Sequence, residues 1–131
     1  VAGALMNSSN TGTSVLSERL SLQQRYDYLT RFGFGDQTAV DFLGEEPGRV
    51  PDPTTVDAHN AIVQLFGQGM LATSAQVASL YQTLANDGVR EPLTLVTGCT
   101  HPDGTVTHEP PTEGTRVVSE RAARGVTSVL E

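Results

Sequence analysis

The sequence has no lysine, no tryptophan and only one cysteine in 131 residues. Its eight basic residues are all arginines, and the formal net charge is -7. Because cationic contacts to phosphate dominate nucleic-acid binding, this acidic balance argues against a nucleic-acid partner. It argues equally against binding to an anionic membrane surface. The lone Cys99 excludes an internal disulfide, and we interpret it as a small packing residue rather than a nucleophile.

Long apolar runs are also missing, since no stretch approaches the roughly 20 residues that a membrane-spanning helix needs. The length suits one domain or a large piece of one. The chain begins at Val1, with no initiator methionine and no recognisable signal peptide. We therefore expect it to be a segment cut from a longer protein.

Residues 1–88 are predicted to be mainly helical. Ser21 and Gln24 match a capping box, which predicts a helix over 22–31 that stops at the glycines of residues 32–35. Thr73 and Gln76 match a second capping box, which predicts a helix over 74–86. This helix carries an apolar stripe at helical spacing, formed by Val77, Leu80, Tyr81 and Leu84. The sequence Asn-Asp-Gly at 86–88 predicts a left-handed stop.

The remaining segments are less regular. Residues 36–55 are rich in turn-forming residues and contain no convincing element, whereas 57–66 could form a short helix. We predict a strand over 92–96, a turn over 101–104 and a returning strand over 105–108 that ends at Pro110 and Pro111. Ser119 is a suitable N-cap for a final helix. The chain is thus divided into a helical part, 1–88, and a hairpin with a C-terminal helix, 89–131.

The triplet Ser8-Ser9-Asn10 is the first candidate for chemistry. A serine that performs acyl transfer needs a base and a donor for the leaving group, and S-x-x-K, S-x-N and K-T-G motifs divide these tasks among separate loops. Ser8 and Asn10 fit the S-x-N pattern. In that motif a tight turn points a hydroxyl and an amide, two residues apart, into one cleft. Taken alone, the triplet is better explained as a helix-capping cluster.

The short sequence blocks that follow the triplet change this interpretation. Their order resembles that in the transpeptidase domain of class B, or monofunctional, penicillin-binding proteins. The resemblance covers most of the chain, from about residue 5 to residue 130. The blocks that carry the resemblance are Phe32-Gly33-Phe34-Gly35, Thr38, Val40-Asp41, Gly44-Glu45, Gly48, Pro51, Phe66-Gly67-Gln68-Gly69, Thr73, Gln76 and Leu84-Ala85-Asn86-Asp87-Gly88. S-x-x-K and K-T-G are both absent because the chain has no lysine, which suggests a central fragment.

The resemblance implies a mainly α fold, the helical subdomain of a penicillin-binding/serine β-lactamase-like transpeptidase fold with a short β-hairpin and a C-terminal helix. It implies a serine D,D-transpeptidase that cross-links peptidoglycan stem peptides and is trapped by β-lactams. In that scheme Ser8 relays a proton toward the leaving group, and Asn10 binds the substrate amide and helps to orient a lysine outside the chain. The fragment alone is expected to be inactive, and no metal or cofactor is expected.

Other candidate sites are less well supported. Residues 67–72 match the dinucleotide fingerprint G-x-G-x-x-A, but no strand is predicted before them. His101, Asp103 and His108 do not have the spacing of a standard metal site, and a solvated turn is the better interpretation. The paired carboxylates Glu45 and Glu46 also suit a solvated turn.

Two other functions remain open beside the transpeptidase. One is a non-catalytic helical interaction module of a cell-division protein, and the other is a β-lactamase or β-lactam sensor. The resemblance implies a parent anchored in the membrane with this part on the extracytoplasmic face, and division-complex proteins as partners. We also expect self-association, because a fragment exposes apolar surface that the rest of its domain would cover.

Overall fold

The computed structural model describes residues 1–40, 42–108 and 113–131, and within these ranges the chain is mainly α-helical. The helices are α1 (Ala2–Met6), α2 (Asn10–Ser17), α3 (Leu22–Arg31), α4 (Ala58–Val63), α5 (Ser74–Ala85) and α6 (Glu120–Leu130). A 3₁₀ turn, Gln64–Phe66, follows α4. The strands are β1 (Val89–Arg90), β2 (Gly98–Thr100), β3 (Val106–His108) and β4 (Thr115–Arg116). The expected mainly α class is confirmed.

Both predicted capping boxes are present and begin the predicted helices. At α3, the Ser21 hydroxyl accepts from the Gln24 amide at 3.2 Å, and the Gln24 side chain accepts from the Ser21 amide at 2.9 Å. At α5, Thr73 and Gln76 make the same reciprocal pair at 3.2 and 2.9 Å. The helix predicted over 57–66 is α4 with its 3₁₀ extension, and the Asp57 side chain caps it. Ser119 caps α6 as predicted.

The fully buried face of α5 is polar rather than apolar. Its buried residues are Gln76, Ser79 and Thr83, which recur at helical spacing. The apolar stripe identified in the sequence is only partly covered, since Val77 is 39% exposed and Tyr81 is 58% exposed. Polar side chains can be buried here because they are hydrogen-bonded, as in the 2.7 Å bond from the Thr83 hydroxyl to the Ser79 carbonyl.

A second buried region joins α5 to α6. The two helices are in contact, and Ala123 of α6 is completely buried. Val117, just before α6, is also buried, and its amide donates to the Gly88 carbonyl at 2.9 Å. Gly88 has φ +86°, and a Cβ there would overlap the Val118 carbonyl oxygen, so only glycine fits. Contacts therefore cross the predicted boundary at residue 88, and the division into two parts stays a prediction.

The strand predicted over 92–96 is wrong. Pro92 has no amide hydrogen, and the Thr94 hydroxyl satisfies both the amide and the carbonyl of Val96 locally, at 3.2 and 2.8 Å. The hairpin lies further along, where β2 pairs antiparallel with β3 and Cys99 faces Thr107. The turn over 101–104 is present, whereas Pro110 and Pro111 lie outside the described residues. A second short antiparallel pair, β1 with β4, was not predicted from the sequence.

The long irregular segment over 36–55 contains no helix or named strand in its described part, as expected. A single antiparallel bridge joins Arg49 to Leu71. Within the described ranges, no helix combines the length and the apolar composition that would let it cross a membrane.

Candidate functional site

Ser8 occupies a strained position in the turn between α1 and α2. Its φ is +47°, in the left-handed region that serine rarely adopts. The Ser8 amide donates to the Leu5 carbonyl at 3.0 Å, and the next amide, that of Ser9, donates to the Ala4 carbonyl at 2.8 Å. These two bonds form a Schellman motif, in which glycine is the usual left-handed residue. Holding serine there costs about 1–2 kcal/mol relative to glycine's freedom.

The capping role within the triplet belongs to Ser9 alone. Its side-chain oxygen accepts from the Gly12 amide at 3.1 Å and so begins α2. Asn10 is the first residue of that helix. Ser8 and Asn10 are exposed, and among the described residues neither side chain makes a hydrogen bond. The hydroxyl of Ser8 and the amide of Asn10 flank the cap and are available to a ligand.

The chemistry of this turn is entirely neutral. No residue from 1 to 17 has an ionisable side chain, so the turn offers hydroxyl and amide groups as donors and acceptors. A hydroxyl can pass a proton between two other groups, but it does not act as a base near neutral pH. Any base for acyl transfer must therefore come from outside this turn. The S-x-x-K and K-T-G motifs each contain a lysine, and this chain has none.

The groups considered as a metal site serve the β2–β3 hairpin instead. The His101 ring lies 2.7 Å from the Thr107 hydroxyl, and the Asp103 carboxylate accepts from the Thr105 hydroxyl at 2.7 Å and from its amide at 3.0 Å. The bond from the Thr105 side chain, with that from its amide, lowers the pKa of Asp103. Within the described ranges, no three residues with metal-binding side chains lie close enough to share an ion.

The dinucleotide fingerprint lies in the wrong context. Gly67 follows the 3₁₀ turn rather than a strand, and the next helix, α5, begins at Ser74, beyond the motif. The geometry that aims a helix N-terminus at a pyrophosphate is therefore missing here.

The structure also shows the surroundings of Glu45 and Cys99, two residues considered in the sequence analysis. Glu45 closes its own loop, because its carboxylate accepts from the Thr38 amide at 3.1 Å and its carbonyl accepts from Gln37 at 2.6 Å. Cys99 is exposed on β2, so the expectation that it packs as a small apolar residue is wrong. The reason is that the β2–β3 hairpin is almost entirely exposed, with little for Cys99 to pack against.

The sequence predicts a capping cluster over the triplet, and the structure identifies Ser9 as its capping residue and Gly12 as the amide that it caps. A serine directly before a helix is a recognised capping signal, and this signal points to Ser9. Gly12 lies where α1 and α2 approach, and a Cβ there would be 2.8 Å from the Ala4 Cβ and 3.2 Å from the Ser9 oxygen. Only the structure could identify that approach.

Comparison with known proteins places this geometry in context. The family model described as the penicillin binding protein transpeptidase domain matches residues 1–131. Penicillin-binding protein PbpB of Mycolicibacterium smegmatis is 39% identical over 128 residues, covering 98% of this chain and 20% of the relative. The peptidoglycan D,D-transpeptidase FtsI of Escherichia coli K12 is 29% identical, covering 100% of this chain and 21% of the relative.

A solved structure agrees with the sequence comparison. Penicillin binding protein 3 of Mycobacterium tuberculosis, complexed with ampicillin, superposes with a TM-score of 0.93 at 38% identity. The match covers 99% of this chain and 29% of that one. The chain thus spans about a fifth of the length of the curated relatives that it matches, 20% and 21%.

Proposed function

This chain belongs to the penicillin-binding protein transpeptidase family, in the class B group, and from that premise we propose that it is part of a serine D,D-transpeptidase. The whole protein would cross-link peptidoglycan stem peptides through a serine acyl-enzyme. The names of the relatives support this activity, since FtsI of Escherichia coli is a peptidoglycan D,D-transpeptidase.

The proposed reaction has two acyl-transfer steps. A serine hydroxyl outside this chain attacks the carbonyl of the penultimate D-alanine, an ester C–O bond forms, and the C–N bond to the terminal D-alanine breaks. The proton released by the serine passes to the departing amine nitrogen, so free D-alanine leaves. An amine from a neighbouring strand then attacks the ester, forms the cross-link and restores the serine. A β-lactam reacts with the same serine in the first step and forms a stable ester with it.

Ser8 and Asn10 are the contribution of this chain to that site. Ser8 would relay the proton toward the leaving nitrogen, and Asn10 would hydrogen-bond the substrate amide and help to orient the catalytic lysine. The observation that carries the proposal is the strained Ser8, at φ +47° where glycine would be favoured. Strained residues of this kind cluster at active sites, which supports a functional role for Ser8.

The test compares acylation rates in the full-length protein that carries this chain. Ser8→Ala and Asn10→Ala should each lower the rate constant for labelling by a fluorescent penicillin by about a hundredfold, the scale for one positioned proton-transfer group. Ser17→Ala, at the other end of the same helix, is the matched control and should label at the original rate. Unchanged rates in both site variants would contradict the roles proposed for Ser8 and Asn10.

The isolated chain is predicted to be inert. With no lysine, it lacks the residues of two of the three motifs, so the 131-residue chain should take no covalent label from a fluorescent penicillin. The full-length protein, run in parallel, should be labelled. Covalent labelling of the isolated chain would overturn the argument that its site is incomplete.

The other two functions make different predictions for the full-length protein. A non-catalytic interaction module would take no label at all. A β-lactamase would take label and release it by hydrolysis, whereas a transpeptidase should hold the acyl-enzyme much longer. The lifetime of the labelled species therefore separates a hydrolase from the proposed transpeptidase.

The proposal extends to partners and location. The stem peptide and β-lactams would bind through the complete domain, on the extracytoplasmic face of a membrane-anchored parent, with division-complex proteins as further partners. Self-association of the isolated chain is supported by exposed apolar side chains, among them Leu43 at 97% and Met6 at 81%. Sedimentation velocity over a range of concentrations should detect it, and a constant monomer mass would exclude it.

A further inference from the structure

We propose that Ser9, the middle residue of the triplet, positions the two functional groups beside it. This inference rests on the proposed function, because it concerns how Ser8 and Asn10 are held. Ser9 itself would touch neither substrate nor lysine.

The contacts of Ser9 tie both helices to the turn. Its amide donates to the Ala4 carbonyl at 2.8 Å, its side-chain oxygen accepts from the Gly12 amide at 3.1 Å, and its carbonyl accepts from both the amide and the hydroxyl of Thr13, at 2.9 and 3.1 Å. Ser9 is half-buried, whereas its two neighbours are exposed. The middle residue of the triplet is therefore anchored from both sides.

Gly12 completes this anchor. The 2.8 Å separation between a hypothetical Gly12 Cβ and the Ala4 Cβ is shorter than real Cβ atoms allow. The lack of a side chain at Gly12 thus lets the first turn of α2 lie directly against α1. The same residue supplies the amide that Ser9 caps.

Loss of the cap would act on both flanking residues. Without the Ser9 oxygen, the first turn of α2 loses an amide partner and can fray, which displaces Asn10 at its first position. Ser8 would then be free to leave its left-handed conformation, because such strain persists only while its surroundings enforce it. A displacement of about 1 Å at a reacting centre can lower a rate by about a hundredfold.

The experiment measures acylation of the full-length protein by a fluorescent penicillin, with the rate constant and the labelled fraction recorded separately. Ser9→Ala should lower the rate constant by about tenfold to a hundredfold. Ser9→Asn should restore most of it, because asparagine caps as well as serine. Ser119→Ala removes the equivalent cap of α6 and should leave the rate constant unchanged.

A merely structural role for Ser9 would lower the labelled fraction and leave the rate constant of the folded molecules as it was, and that result would overturn the proposal. An asparagine variant as slow as the alanine variant would overturn it too. If Ser9→Ala does not fold, Gly12→Ala is compared with Gly3→Ala, whose added Cβ meets nothing within 4 Å. A slower rate in Gly12→Ala alone supports the positioning role, and equal rates contradict it.

The proposed function and this inference can fail separately. If Ser8→Ala and Asn10→Ala label at the original rate, the roles of those two residues are wrong. If they label slowly while Ser9→Ala labels at the original rate, those roles stand and only the positioning by Ser9 is wrong.

Discussion

The side-chain amide of Gln76 donates to the carbonyl of Pro47 at 2.7 Å and joins the first turn of α5 to the long irregular segment. The same nitrogen donates to the carbonyl of Asp36 at 2.7 Å, while the side-chain oxygen accepts from the Thr73 amide at 2.9 Å. Gln76 is only 1% exposed. One buried side chain therefore caps a helix and holds two points of the irregular segment, Asp36 and Pro47.

Replacing Gln76 with alanine should destabilise the full-length protein by about 2–4 kcal/mol, since two carbonyl groups lose their donor and a cavity forms. Gln24 is the matched control, because it makes the same capping-box bond at 2.9 Å but is exposed. Gln24→Ala should cost less than about 1 kcal/mol. Urea denaturation gives both values, and equal losses would mean that the loop contacts of Gln76 contribute nothing.

Gly48 should tolerate substitution less well than Gly44, although both have positive φ, of +68° and +85°. A Cβ at Gly48 would overlap the Leu71 carbonyl oxygen, which accepts the 2.8 Å bridge bond from Arg49, whereas a Cβ at Gly44 meets nothing within 4 Å. Gly44→Ala should cost about 1 kcal/mol, and Gly48→Ala clearly more. Thermal unfolding of the two variants compares them directly, and equal shifts would show that the overlap relaxes.

Ser8→Gly should make the protein more stable and less active. Glycine relieves the left-handed strain, although its greater freedom in the unfolded chain offsets part of the gain, so the net effect should be about 0.5–1 kcal/mol. Loss of the hydroxyl should slow acylation as much as Ser8→Ala does, but the alanine variant should show no gain in stability. The denaturation midpoint and the rate of penicillin labelling are measured for both variants. A fully active glycine variant would exclude Ser8 as a proton relay.

Asp87 should contribute to stability only above acidic pH. The side-chain bonds from Arg124, at 2.9 and 3.3 Å, hold the pKa of Asp87 below its usual value. A lowered folded-state pKa means that the contribution is fully present above about pH 4 and is lost as the pH falls through the folded value. Asp87→Asn keeps a residue that tolerates the left-handed conformation, φ +49°, while removing the charge.

The asparagine variant should therefore unfold at a slightly lower temperature than the original at neutral pH. This difference should shrink in high salt, because both partners of the pair are substantially exposed. It should also disappear in strong acid. A difference that grows as the pH falls would contradict the ion pair as its source.

Local signals in the sequence determined where the main helices begin. The Ser21–Gln24 and Thr73–Gln76 capping boxes and the Ser119 cap need only residues three apart, so α3, α5 and α6 could be predicted without tertiary information. The ordered blocks also led to the correct family. The hairpin turn is predictable for the same local reason, although the observed strand before it begins several residues later than predicted.

Features that depend on distant contacts were decided only by the tertiary structure. Gln76 is buried because carbonyls of residues 36 and 47 reach it, and no pattern near Gln76 encodes that meeting. The left-handed φ of Ser8 is also seen only in the structure, in the Schellman turn that joins α1 to α2. The sequence alone determined a hydroxyl and an amide two residues apart. The packing of two short helices decided that both side chains are exposed and that Ser9, between them, serves as the cap.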